Sequence, residues 1–91
     1  MTDDPLAPLR AMFAERAARD LSVIRRALTL DPPADPELET TVHGLAGAAG
    51  IFGHAEMAAL ALAADRDFVD GEAPDRQQLE ALVGLLEKLA L

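Results

Sequence analysis

Apolar residues recur at spacings of three and four residues in four separate segments of the chain, and this pattern constrains the fold most. An α-helix turns once every 3.6 residues, so such spacing places the apolar side chains on one helix face. The segments are separated by stretches that stop helices, namely Pro32-Pro33, Gly53 and the turn at 70–74, which contains a Gly and a Pro. The pattern therefore predicts an all-α protein.

The first predicted helix runs from near Pro5 or Pro8 to about Leu30. A separate short helix ending near Pro8 is an alternative. The apolar stripe of this first helix consists of Leu9, Phe13, Ala17, Leu21, Ile24 and Leu28. The helix stops at Pro32-Pro33, because neither proline has an amide hydrogen to continue a helix interior.

The second predicted helix follows Asp35, whose carboxylate is a favourable helix cap, and Pro36 then suits the first helical position. It ends at about Phe52, with Gly53 as its C-terminal stop. Its apolar stripe consists of Leu38, Val42, Leu45, Ala49 and Phe52.

The third predicted helix spans roughly 54–69, and the fourth runs from Pro74 or Asp75 to the end of the chain. Their inward faces consist of Met57, Leu60, Ala61, Ala64 and Phe68 in the third helix and Leu79, Leu82, Val83, Leu86 and Leu89 in the fourth. Leu85 lies partly outside the fourth stripe and is expected to be exposed. Four amphipathic helices with short connections in 91 residues predict an antiparallel up-down four-helix bundle, with residues 1–91 forming one domain.

Charge and composition exclude several classes of function. The chain has no cysteine, which excludes disulfides and thiolate catalysis. Its formal net charge of −8 argues against nucleic acid and anionic membranes as partners. The start at residues 1–5 is acidic, and no apolar run approaches the roughly 20 residues that span a bilayer. We therefore expect no signal peptide, no membrane insertion and a cytoplasmic location.

His43 lies away from the apolar stripe of the second helix, roughly 140° round from Leu38. Gly47 follows it by one turn and Gly50 by two turns on the same side of the helix. A glycine inside a helix costs about 1 kcal/mol relative to alanine, so stability alone does not explain this pair. Close packing of a neighbouring helix is one explanation. Clearance for a molecule that approaches the imidazole, a good nucleophile near neutral pH, is the explanation we favour.

The segment 43–53 resembles the signature of histidine-containing phosphotransfer (HPt) domains, His-x-Leu-Lys-Gly-Ser-Ala-x-x-x-Gly. The matching positions are His43, Leu45, Gly47, Ala49 and Gly53. The sequence departs from the signature at Ala46, where the family usually has lysine, and at Ala48, where it often has serine. The segment 55–61 also resembles the residues that come after the signature in that family. The spacing of the four helices extends the resemblance over nearly the whole chain.

The resemblance implies a phosphoryl carrier of a two-component phosphorelay and not an enzyme. In this interpretation His43 accepts a phosphoryl group through Nε2, while Gly47 and Gly50 leave room for that group. The partner is a response-regulator receiver domain or a hybrid histidine kinase, and it docks on exposed apolar residues of the first and second helices. The carrier has no cofactor of its own, because the partner supplies Mg²⁺ from its acidic pocket. We expect a monomer.

Ala46 leaves three explanations open, because lysine at this position would neutralise the phosphoryl oxygens. A basic residue of the first helix reaches over; the candidates are Arg16, Arg19, Arg25 and Arg26. The partner's own lysine suffices during transfer, which is the most economical explanation. The third explanation is that the chain is an HPt-like docking module, which binds a receiver or kinase without carrying phosphate. A structural bundle that dimerises through an exposed Leu85 or through the face of the fourth helix is a further hypothesis.

Two other groups of residues are predicted to lie at the surface. His54 is expected to be a capping or surface residue, since a helix would place it about 16 Å from His43, too far to share a metal ion. An acidic cluster near the end of the third helix consists of Asp65, Asp67, Asp70 and Glu72. It lacks the ordered spacing of a calcium loop, so it is predicted to be a solvated acidic face.

Overall fold

The computed structural model describes residues 4–90 and contains four α-helices and, within that range, no β-strand. The helices are α1 (Ala7–Ala27), α2 (Leu38–Ile51), α3 (Ala55–Val69) and α4 (Arg76–Ala90). Each helix contacts two others, since α1 packs on α2 and α4 while α3 packs on α2 and α4. The all-α prediction is confirmed. Leu91, the predicted end of the fourth helix, and the first three residues lie outside the described part of the chain.

The four predicted stripes meet in one hydrophobic core. Its largest fully buried side chains are Ile24, Leu38, Val42, Leu45, Leu79, Leu82 and Leu86. Burial of such a side chain contributes about 1.5–3 kcal/mol, so these residues dominate the stability of the fold. The buried positions of α3 consist of Met57 and two small residues, Ala61 and Ala64. No helix in the described residues is long and apolar enough to cross a membrane.

Helix α1 begins at Ala7, between the two predicted starts at Pro5 and Pro8, but differs from its prediction in its end and in the burial of its first turn. It ends at Ala27, three residues before the predicted end at Leu30. The Arg76 guanidinium donates to the carbonyl oxygens of Leu28 at 3.1 Å and Leu30 at 2.6 Å, and so satisfies this end of the helix. Leu9, which the pattern assigns to the buried stripe, is exposed. The reason is length, because α1 has 21 residues whereas α2 has 14 and α4 has 15, so the first turn of α1 has less to pack against.

The start of α2 also differs from the prediction. The helix begins at Leu38, and Glu37 occupies the N-cap position without a side-chain hydrogen bond. Asp35 stabilises the preceding turn instead, since its Oδ1 accepts the backbone N–H of Glu37 at 2.9 Å and its Oδ2 accepts Arg26 Nε at 3.1 Å. These two bonds hold the pKa of Asp35 below its usual value, the Arg26 bond contributing most. At the other end Gly53 stops the helix with a φ of +79°, as predicted.

Two residues at the other end of the molecule are less exposed than predicted. His54 occupies the N-cap position of α3, although its side chain makes no capping hydrogen bond. Its ring is half-buried and stacks on Phe13 at a centroid distance of 5.4 Å, and Phe13 stacks on Phe52 at 4.9 Å. Leu85 is half-buried and packs against the core, so its side chain is not the exposed residue that the first form of the dimer hypothesis requires.

Candidate functional site

His43 lies near the middle of α2 on its outer face, and 76% of its side chain is exposed. The apolar stripe of the same helix determines this placement. Leu45 and Val42 are fully buried on the opposite side, so the rotation of the helix turns position 43 outward. The imidazole is therefore accessible to another molecule.

The carboxylate of Asp65 on α3 orients the His43 ring. The two side chains are joined at 3.2 Å between His43 Nδ1 and Asp65 Oδ2, and only 17% of the Asp65 side chain is exposed. An ionised carboxylate can only accept a hydrogen bond, so Nδ1 carries the proton and donates it. The neutral ring then has its free electron pair on Nε2, on the side away from Asp65. This arrangement presents Nε2 as a nucleophile.

Asp65 corrects the sequence prediction, which assigned it to a solvated acidic face. A positional signal for the contact exists in the sequence. Position 43 precedes His54 by eleven residues and position 65 follows it by eleven. A helical hairpin that folds back near His54 brings two such positions to the same level.

An open groove of about 420 Å³ lies beside His43, between α2 and α3. Its lining consists of His43, Ala46, Gly47, Ala58, Ala59, Leu62 and Asp65. Apart from His43 and Asp65 these residues are apolar or lack a side chain. Ala46, at the position of the usual family lysine, therefore contributes only a methyl group to the groove.

The glycines of α2 fall into two kinds. A Cβ added at Gly47 or Gly50 would meet no atom within 4 Å, so neither glycine serves close packing of another helix. This observation favours clearance, the explanation preferred from the sequence. Gly44 is different, because a Cβ at that position would overlap Arg16 Nη2 and lie 3.3 Å from Arg16 Cζ. The bare backbone at position 44 therefore admits the Arg16 guanidinium against α2.

The arginines proposed from the sequence as substitutes for a lysine at position 46 have different neighbours. Arg25 donates to Glu87 at 2.6 Å. Arg26 donates to Glu37 at 2.6 Å and also binds Asp35. Both arginines are therefore engaged by carboxylates that do not contact His43. Arg16 lies over Gly44, the residue that follows His43, and Arg19 lines the groove between α1 and α2.

Arg16 is held in place by a buried acid on its own helix. Its Nε donates to Asp20 Oδ2 at 3.2 Å, and only 11% of the Asp20 side chain is exposed. Burial raises the pKa of Asp20, and the hydrogen bond and charge of Arg16 counter part of that effect. Removal of Arg16 would therefore leave a largely buried carboxylate without its partner.

A second groove, of about 280 Å³, lies on the other side of α2 against α1. Its lining consists of Leu9, Met12, Phe13, Arg16, Arg19, Ala48 and Phe52. Met12 is 63% exposed, so this groove offers apolar surface beside its two arginines. Exposed apolar side chains thus flank α2 on both sides, at Met12 on α1 and at Leu62 on α3.

No group of three or more histidine and acidic side chains in residues 4–90 is arranged to hold a metal ion.

The chain was compared with known proteins. A family model described as the Hpt domain matches residues 8–90. No curated protein and no solved structure matches the chain. Hpt domains are carriers for histidine phosphotransfer in two-component systems, where they work with receiver domains and histidine kinases. The match covers almost the whole sequence, and the chain therefore belongs to the Hpt domain family.

Proposed function

We propose that this protein carries a phosphoryl group on His43 between receiver-domain aspartates of a phosphorelay. One observation carries the proposal: Nδ1 of the exposed imidazole lies 3.2 Å from Asp65 Oδ2, an arrangement that leaves Nε2 free among the residues that the structure describes. Gly47 and Gly50 support it, because they keep the backbone beside the ring open. Family membership supports the same chemistry.

The proposed transfer uses the electron pair of His43 Nε2. This nitrogen attacks the phosphorus of an aspartyl phosphate in the partner, so that a P–N bond forms while the P–O bond to the aspartate breaks. The aspartate carboxylate leaves with the electron pair of the broken bond. Nδ1 keeps its proton, so the phosphorylated ring becomes positively charged, and the Asp65 carboxylate stabilises that charge. Transfer to the next receiver is the reverse of the same step.

The division of labour between carrier and partner depends on the groups that lie around the ring. Phosphoryl transfer depends mainly on positioning and on neutralisation of charge. In our proposal the receiver supplies Mg²⁺ and the acidic pocket, and this chain supplies an oriented nucleophile without a cofactor of its own. Asp65 is bound to Nδ1, on the far side of the ring from Nε2, so it is poorly placed to activate a water for hydrolysis. This placement supports a carrier and not an enzyme.

The remaining parts of the proposal concern the setting of the site. We propose that the helices run alternately up and down, which is supported by the short connection at 52–54 and by the contacts of each helix with two others. Residues 1–91 act as one domain, as a monomer and in the cytoplasm. The partner docks over α2, where exposed Met12 and Leu62 offer apolar contact on either side.

A docking module that binds a receiver or kinase without carrying phosphate is the second candidate. Ala46 favours it, because α2 contributes no cation to the groove at His43. This candidate predicts that a receiver binds the wild type and His43→Ala equally, and that no phosphoryl group moves in either case.

The test is incubation with a panel of ³²P-labelled phosphorylated receiver domains at short times. We expect label on this protein as an acid-labile, alkali-stable adduct. His43→Gln should lose the label while its helical circular dichroism is unchanged, because the side chain is largely exposed. The matched control is His54→Gln, which should keep the label. Label that persists on His43→Gln would contradict the proposal.

A further inference from the structure

Phosphorylation of His43 places a strong negative charge where the structure already has acids. A phosphoryl group carries about −1.5 to −2 charges near neutral pH. Asp65 contacts the ring directly, and Glu39 lies one helical turn before His43 on α2. Residues 38–51 of α2 contain no lysine or arginine. A stabilising cation must therefore come from a neighbouring helix or from the partner.

The geometry points to Arg16 of α1 as the residue that binds the phosphoryl group on His43, an inference that rests on the proposed function. Its guanidinium lies against the backbone of Gly44, next to His43, in space that any other residue at position 44 would fill with its Cβ. Nε is bound to Asp20. Nη1 and Nη2 make no hydrogen bond with any residue between 4 and 90, so they can donate to two phosphoryl oxygens.

The path between Arg16 and His43 crosses bare backbone. Gly47 follows Gly44 by three residues and His43 by four, so it adjoins both on the helix surface. A Cβ at Gly47 would meet nothing within 4 Å, which shows that no side chain stands in this space. Binding requires that rotation about the outer bonds of the Arg16 side chain bring its amino groups across Gly47 towards the phosphoryl group on Nε2. In this inference Gly47 serves the arginine as well as the incoming phosphoryl group.

Asp20 is the anchor that keeps Arg16 beside α2. Its carboxylate is largely buried and binds only Nε, the inner nitrogen of the guanidinium. A side chain that is already held near its ligand loses less conformational freedom when it binds. The competing cation is Arg66 of α3, which follows Asp65 directly. Neither arginine lines the groove at His43. Arg16 is preferred because it lies against Gly44, next to His43. Arg66 instead lies among the acids Asp67 and Asp70 in the sequence.

The experiment measures the second ionisation of the phosphoryl group by ³¹P NMR. Phosphoramidate, a small phosphodonor, loads the protein without a partner. A nearby cation stabilises the dianion, so the phosphoryl pKa, ordinarily about 6, should be low in the wild type. In Arg16→Gln/Asp20→Asn it should rise by about 0.5 or more. The double variant is used because Arg16→Gln alone leaves Asp20 buried without a partner.

Three further variants make the result specific. Arg16→Lys should keep most of the wild-type pKa, because it retains the charge. Arg25→Gln, which removes an arginine of α1 that binds Glu87, should titrate like the wild type. Ala46→Lys added to Arg16→Gln/Asp20→Asn should lower the phosphoryl pKa again, because position 46 lines the groove at His43. Together these results would assign the effect to charge at His43 and not to altered folding.

An unchanged phosphoryl pKa in Arg16→Gln/Asp20→Asn would overturn the role of Arg16 and leave the proposed function intact. A rise in Arg66→Gln without a rise in the Arg16 variants would overturn it in favour of α3. Failure of the wild type to accept a phosphoryl group from both phosphoramidate and every receiver would overturn the proposed function itself, and with it this inference.

Discussion

Helices α2 and α4 bury similar leucines in the same core, but their outer faces are built differently. Leu45 of α2 and Leu82 of α4 both have no exposed surface. The outer face of α4 carries one glycine, Gly84, among long polar side chains, which are Gln77, Glu80, Glu87 and Lys88. The outer face of α2 carries His43 beside two bare glycines. Since the core makes the same demand on both helices, the difference indicates that α2 is shaped for contact with another molecule.

The largest effect should appear in the core that the two helices share. Leu45→Ala and Leu82→Ala each leave a cavity in the core, so each should lower the free energy of unfolding by about 2–5 kcal/mol. Urea denaturation followed by circular dichroism measures this. The comparison fails if one of the two substitutions costs less than about 0.5 kcal/mol, since that helix would then not depend on the shared core.

The next effect should separate two carboxylates that each accept a hydrogen bond from another helix. Asp65→Asn removes the charge that orients His43 and stabilises the phosphorylated ring, so the transfer rate should fall about tenfold or more. Glu87 of α4 forms an exposed ion pair with Arg25 of α1. Glu87→Gln should leave the transfer rate unchanged. Rapid-quench transfer from a phosphorylated receiver gives both rates. Equal rates for wild type and Asp65→Asn would show that the negative charge of Asp65 has no part in transfer.

Three glycines offer a matched test of clearance. Gly47, Gly50 and Gly84 are all exposed helix positions at which a Cβ would meet nothing within 4 Å. Each change to alanine should therefore raise stability by about 0.5–1 kcal/mol. Only Gly47→Ala and Gly50→Ala should slow transfer, by up to about tenfold, because a methyl group there obstructs the approach to His43. If Gly84→Ala slowed transfer equally, clearance beside His43 would not be the cause.

The smallest effect on stability concerns the turn before α2, where Asp35 is paired with Arg26. The pKa of Asp35 is lowered from 3.8 in the folded state, chiefly by the hydrogen bond from Arg26. The carboxylate therefore stabilises the fold above pH 3.8, and this contribution is lost as the pH falls through the lower folded-state value. The difference in urea midpoint between wild type and Asp35→Asn should shrink below about pH 4. A difference that is constant with pH would contradict this.

Much of the fold could be predicted because helix periodicity is a local property. The spacing of Val42 and Leu45 fixes the rotation of α2 about its own axis. This rotation places His43 on the outer face of the helix, regardless of which helices pack against α2. The ends of stripes were less predictable. Leu9 fits the period but lies where a long helix extends beyond its shorter neighbours, and Leu85 fits it poorly yet is half-buried against the core. Burial at these positions depends on the lengths and offsets of other helices.

The contacts of the site could be predicted only in part, because they join residues on different helices. His43 and its glycines lie on one helix, so their relation follows from the sequence. Asp65 reaches His43 from 22 positions away, and only its equal distance with His43 from the turn at His54 separates it from the other acids near the end of α3. Nothing in the local pattern singles out Arg16, whose position over Gly44 depends on the packing of α1 against α2.

The central claim is that Nε2 of His43 is the atom that receives the phosphoryl group. ¹⁵N-histidine labelling and NMR of the protein after transfer from a receiver test it directly, since the two ring nitrogens of each histidine give separate signals. We expect a phosphorus-coupled signal from His43 Nε2, with the proton retained on Nδ1 beside Asp65. A phosphoryl group on Nδ1 of His43, or on the stacked ring of His54, would contradict it.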